Sequence, residues 1–196
     1  MRKLSLLILL IVALGIDVWA INPPGTKKVK IDNSTIYIDQ EEIRVIDWLE
    51  YIQSIEHKFG KNSEELKSTL PYGIDSKEML GKEKLTKPIT GITLEQAQKY
   101  CEWRTLVVNA INEETGGGKV LYTIPTEQQY SKLLKTFGSY EILSDKNKTE
   151  RVVGLQSSVY ELTAEGSVLK NNGVFSKEEK LPNENVGFRC IATIEK

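Results

Sequence analysis

The sequence predicts an α+β domain. Helical periodicity dominates the first part of the chain, short apolar segments separated by turn residues dominate the last part, and two capping boxes mark helix starts between them. Residues 21–34 read as a loose lead-in, punctuated by Asn22-Pro23-Pro24-Gly25 and by the turn-like Asn33-Ser34. Thr35-Ile36-Tyr37-Ile38 is β-branched and aromatic, a strand. Trp48, Tyr51, Ile52 and Ile55 then recur at helical spacing, Phe59 extends the face, and Gly60 stands where a C-cap would. Residues 60–87 are mostly polar and read as a surface connection with at most one short helix. Thr93-Leu94-Glu95-Gln96 is a capping box opening a helix with Ala97, Cys101 and Val108 inward and an end near Asn112. After the glycine-rich break at 115–118, a second box, Thr126-Glu127-Gln128-Gln129, opens a helix through Tyr130, Leu133 and Leu134. Arg151-Val152-Val153, Val159 to Thr163, Gly173-Val174-Phe175 and Gly187 to Ala192 are the late strands.

The first twenty residues are expected to lie outside the fold. Met1-Arg2-Lys3 is a positive start and Leu4 to Ile16 is apolar apart from Ser5 and Gly15. Val18 and Ala20 suit the two positions that a signal peptidase reads, so cleavage is expected between Ala20 and Ile21. The apolar run is too short for a stable membrane span, which takes about 20 residues, and no Cys follows it closely. The chain therefore divides into a leader at 1–20, the lead-in at 21–34 and a single domain at 35–196. Removing 20 of 196 residues leaves 176, enough for one domain with a sizeable core.

Composition excludes several classes. With 27% charged and 40% apolar residues the chain is a globular mixture. Its net charge of −1, or −2 once Arg2, Lys3 and Asp17 leave with the leader, gives no broad footprint for nucleic acid, and Lys27-Lys28-Val29-Lys30 is too short to supply one. One His, His57, and two Cys leave few ligands for zinc, which takes three or four protein ligands of the Cys and His kind. His57 reads as an exposed residue of a last helical turn, while Trp48 and Trp103 read as core. In an exported chain Cys101 and Cys190 are expected as a structural disulfide, the alternatives being a redox pair or two buried thiols. A bridge closing roughly ninety residues contributes about 4–5 kcal/mol in the chain-entropy model.

Four segments, in order, carry a resemblance. They are Pro88 to Trp103, with its Tyr100-Cys101-Glu102-Trp103; Tyr122-Thr123-Ile124-Pro125-Thr126-Glu127-Gln128-Gln129-Tyr130; Gly154-Leu155 followed by Ser157 to Thr163; and Val186-Gly187-Phe188-Arg189-Cys190. Together they resemble the signature of the formylglycine-generating enzyme (sulfatase-modifying factor) superfamily. The resemblance implies a C-type-lectin-like domain, and it implies a bridge between Cys101 and Cys190, positions that family members often join. Glu42 to Trp48, with Cys101-Glu102-Trp103-Arg104-Thr105 and Val108-Asn109, is similar to a subgroup of Bacteroidota proteins that includes gliding-motility and type IX secretion lipoproteins. Those relatives are longer and carry a lipobox Cys.

The same resemblance argues against catalysis. The oxidase members bind copper through two further cysteines ahead of the Gly-Phe-Arg strand, and this chain has no Cys between Thr163 and Gly187. Copper(I) wants soft thiolate ligands. The branch that uses non-haem iron takes several His, and His57 alone cannot supply them. About 25 residues separate Leu162 from Gly187, short for the active-site excursion of the enzymes. No catalytic residue and no cofactor are therefore expected. Glu161 is the one calcium candidate, but Ser157-Ser158 replaces the family's Gly-Asn and calcium takes six to eight oxygens, so Glu161 reads first as a structural loop carboxylate. The expected function is an exported, non-catalytic subunit of a bacterial envelope complex, with envelope or outer-membrane proteins as partners and a periplasmic or cell-surface location. The alternative is a lectin-like ligand- or glycan-binding module, for which Pro182-Asn183-Glu184-Asn185 is the one faint sequence sign. An oxidoreductase of the parent type ranks third.

Overall fold

The computed structural model describes residues 22–72, 79, 81–137, 152, 159–177 and 182–195. The expected leader and its expected cleavage point at Ala20 and Ile21 lie outside them, as do Gly154-Leu155 and Ser157-Ser158. The chain is mixed α+β, with four helices and two four-stranded sheets among the described residues.

The first sheet has the order β1-β2-β8-β3 and is antiparallel throughout: β1 Thr26–Ile31, β2 Ser34–Asp39, β8 Ile191–Ile194 and β3 Val120–Thr123. β1 corrects the lead-in reading of 21–34. Val29 and Ile31 are buried while Lys28 and Lys30 face solvent, and two apolar residues among lysines give too weak an alternation to read from sequence. Lysine suits an edge strand, because its charge discourages pairing with another chain. The hairpin turns at Asp32, whose φ of 52° lies in the left-handed region that Asp tolerates better than most residues. β2 is buried on both faces: Ile36 and Ile38 meet Tyr130 and Leu133 on one side, and Tyr37 joins the aromatic core on the other.

β3 also went unread, since four residues between a glycine break and a capping box carry little pattern. It forms the far edge of the sheet, and a helix covers that edge. Asn109 donates through Nδ2 to the Val120 carbonyl (2.9 Å) and accepts from the Val120 amide (2.8 Å), while Thr105 Oγ1 accepts from the Tyr122 amide (2.9 Å). Two helix side chains thus satisfy backbone groups that would otherwise invite another strand.

The second sheet has the order β6-β5-β4-β7: β6 Phe175–Ser176, β5 Val168–Leu169, β4 Tyr160–Leu162 and β7 Val186–Gly187, with β4 and β7 parallel. Of the expected strand at 151–153, only Val152 is described, and it is buried. A side chain on Gly187 would place Cβ 2.6 Å from the Ile89 carbonyl oxygen, so the close approach of β7 to that loop requires glycine.

Helix α1 (Val45–Phe59) buries Val45, Trp48, Tyr51 and Ile52, while Phe59 at its end is exposed. Gly60 closes it with a φ of 94°, and the Arg44 amide donates to Asp47 Oδ2 at its start. Helices α3 (Leu94–Thr115) and α4 (Glu127–Phe137) both open on their capping boxes. Thr93 Oγ1 accepts from the Gln96 amide and Thr126 Oγ1 from the Gln129 amide, each at 3.1 Å, and each glutamine Oε1 accepts in return from the residue at the cap. α3 runs to Thr115, three residues beyond the expected end, where Gly116 takes the left-handed cap.

The described residues of 60–87 are mostly exposed, as the surface-connection reading expects, but part of the segment is anchored to the core. It does carry one short helix, α2 (Glu64–Lys67). However, Trp48 Nε1 donates to the Thr69 carbonyl (3.1 Å), Gln96 Nε2 donates to the carbonyls of Ser68 and Leu70, and Met79 is buried. Backbone carbonyls, which every sequence offers, fix this segment, and composition gives no hint of that.

Candidate functional site

The recognisable segments meet where the two sheets approach each other. Arg189 leaves the strand entrance of β8 and is fully buried. Its Nε and Nη2 donate to the two carboxylate oxygens of Glu161 on β4, at 2.7 and 2.6 Å, and its Nη1 donates to the Asp39 carbonyl. Tyr130 of α4 donates its hydroxyl to Glu161 Oε2 at 2.7 Å, and the Glu42 carboxylate stands 3.7 Å from Arg189 Nη2. A buried charge is tolerated when it is paired and fully hydrogen-bonded, and the bidentate fork meets that condition. Burial by itself pulls the guanidinium pKa down, and the Glu161 carboxylate outweighs it, so the net shift is upward. Burial, and then the adjoining Glu161 charge, push the Tyr130 phenol well above its ordinary value. Glu161 therefore lies on β4, within the strand expected over 159–163 and not in a loop, and its oxygens serve an arginine and a tyrosine.

A second pair lies alongside. Asp39, at the end of β2, accepts from Arg104 Nη1 (2.8 Å) and from the Cys190 amide (2.8 Å) through the same oxygen. Arg104 also donates to the Pro24 carbonyl, and its guanidinium lies 4.2 Å above the ring of Tyr122. Neither Asp39 nor this pairing was legible as a site, because 65 residues separate the two side chains.

Cys101 and Cys190 are brought together as buried thiols, Sγ to Sγ 3.1 Å, rather than as the expected disulfide. Burial and the facing Cys101 raise the Cys190 thiol well above its ordinary pKa, the opposite of the activated, low-pKa thiol that a nucleophile needs. Around them Trp48 stacks on Tyr100 (5.5 Å between centroids), with Phe188 edge-on to both and Tyr51 against Trp103. Trp48 belongs to the core, as expected, and Trp103 is half-buried with its Nε1 making no hydrogen bond. His57 is exposed in the last turn of α1. Pro182 to Asn185 form the turn into β7, where the Asn183 carbonyl accepts from Gly91 and Val186.

One open groove of about 420 Å³ borders this region. Carboxylates (Asp39, Glu41, Glu42, Asp47, Glu50), two arginines (Arg44, Arg104) and the aromatic residues Tyr100 and Trp103 line it. Among the described residues, no cluster of three or more His, Cys, Asp or Glu side chains could hold a metal ion, and no helix is long and apolar enough to cross a membrane.

Fold and site together define a mixed α+β protein whose motif residues are consumed in mutual structural contacts beside an acidic, aromatic-lined groove. Compared with known proteins, the chain matches no family model, no curated protein and no solved structure.

Proposed function

We propose that this protein is an exported, non-catalytic relative of the formylglycine-generating enzymes. Its domain is of the C-type-lectin-like kind, and it works as a structural or interaction subunit of a bacterial envelope complex, in the periplasm or at the cell surface. The observation that carries the reading is the convergence of three separate segments: Tyr100-Cys101, Glu161 and Gly187-Phe188-Arg189-Cys190 pack into one place. Glu161 and Arg189 hold each other and the two thiols face each other, while the Tyr100 ring packs on Trp48 and Phe188, which supports a scaffold rather than a reactive centre. In an oxidising compartment the facing Cys101 and Cys190 join as a disulfide that staples α3 to the C-terminal strand. The partners are envelope or outer-membrane proteins, met through surface loops.

The test is gentle detergent extraction of envelopes carrying a C-terminally tagged copy, followed by mass spectrometry of what co-purifies. A stoichiometric complex with outer-membrane proteins is the expected result; recovery of the protein alone and soluble removes the reading. The groove favours a second reading, a lectin-like ligand-binding module, since aromatic faces and carboxylates are common partners for sugars. Glycan binding with and without calcium separates the two, and stoichiometric copper(I) binding by the reduced protein would instead point to the oxidoreductase.

A further inference from the structure

The outward face of α3 breaks the rule that a surface helix turns its polar side to water. Leu106 is 69% exposed, Ile111 56% and Val107 40%, and Ala110 is exposed beside them, while Trp103 is half-buried one turn earlier. Residues 103, 106, 107, 110 and 111 follow the three-and-four spacing of a single helical stripe. The opposite face is committed to the core and the β3 edge through Cys101, Val108 and Asn109, so α3 is apolar on both sides over this stretch. A helix of that kind is normally covered by a further element.

We propose that a second copy of this chain covers it, with the two α3 helices packed antiparallel about a two-fold axis between Leu106 and Val107. Three matches single out this occupant. The axis sets Leu106 against Val107 at the centre. It sets the large Trp103 against the small Ala110 on either side, as interdigitating layers require. It also brings Lys99 of one copy opposite Glu114 of the other at both ends, so that the charges at the rim are complementary. Such self-complementarity is what a two-fold interface demands, since the same surface must serve both partners. Within one copy Lys99 pairs with Glu95 at 2.7 Å, an exposed contact of little worth that leaves the ammonium able to serve a second carboxylate. A contact of two helices lies at the small end of specific interfaces, so the association is micromolar rather than tight. The proposal stands apart from the envelope reading, because it concerns the purified chain with no other protein present.

Sedimentation velocity of the purified protein up to about 200 µM tests it. The expected result is a monomer–dimer equilibrium that Leu106→Glu weakens roughly tenfold or more, that Lys99→Glu and Glu114→Lys each weaken, and that the double exchange Lys99→Glu with Glu114→Lys restores. Circular dichroism confirms that the variants are folded, and the charge exchange, made at exposed positions, keeps the test independent of Leu106→Glu. A protein that stays monomeric throughout overturns the proposal. So does a dimer indifferent to Leu106→Glu, or one that the double exchange fails to restore.

Discussion

Replacing Glu161 with Ala would leave Arg189 fully buried beside carbonyls and a more distant carboxylate, without its bidentate partner. Breaking a buried pair from one side costs about 3–5 kcal/mol, and the urea unfolding midpoint of Glu161→Ala should fall by that measure. Because the two carboxylate oxygens already serve Arg189 and Tyr130, calcium or a chelator should leave the wild-type midpoint unchanged. A calcium-dependent midpoint would return Glu161 to the ligand role. The tyrosines give a pH dependence of definite sign. Burial, reinforced at Tyr51 by Glu102, pushes Tyr51 and Tyr122 from 10.0 up to about 12. A folded-state pKa above the unfolded one means that the folded state holds its proton more firmly. That stabilisation is complete below pH 10 and is lost as the pH rises through 12. Over that window the thermal midpoint should fall as tyrosinate absorbance rises, and a flat midpoint would contradict the burial of these rings.

At the scale of elements, the edge of β3 is the test case. Asn109→Ala removes both bonds to Val120 and leaves a part-buried amide and carbonyl without partners, at a cost of about 1–3 kcal/mol. Amide exchange at Val120 should accelerate in the variant while that of α4 stays as it was. The helices show how far local chemistry reaches. Both capping boxes form as the sequence predicts, because an N-cap hydroxyl and the glutamine three residues later act within a single turn. Strands β1, β3 and β5 lack such a signal: β3 pairs with β8 far along the chain, while β1 and β5, though paired with neighbouring strands, are too lysine-rich or too short to show a clear alternation.

On the scale of the whole molecule, the facing thiols of Cys101 and Cys190 stand 89 residues apart in the chain, and the bridge proposed above would close that loop and staple α3 to the C-terminal strand. Under the proposed export to an oxidising compartment, the recovered protein should present no titratable thiol under denaturing, non-reducing conditions. Reduction should then lower its stability by about 4–5 kcal/mol, read as a shift of the urea midpoint. Two free thiols in the exported protein would refute the bridge. The chain also returns on itself at this scale: β8, the last described strand, inserts between β2 and β3, so one sheet joins early and late segments of the chain.

From its residues alone the sequence determines the α+β class, the two capped helices, the inward faces of α1 and α3, and the candidacy of Cys101 and Cys190, since each rests on neighbours within a turn or on residue type. Only the tertiary structure decided that residues 26–31 are a strand, that residues 68–70 are pinned to Trp48 and Gln96, that Asp39 holds Arg104, and that Glu161 is the counter-ion of Arg189. Apart from β1, whose partner is the next strand, those contacts join groups between 21 and 65 residues apart. Their partners are backbone carbonyls and single charges that occur throughout the chain, so residue type cannot pick them out. Burial selects among them, because a charge or an N–H removed from water must find whichever partner the packing brings within reach.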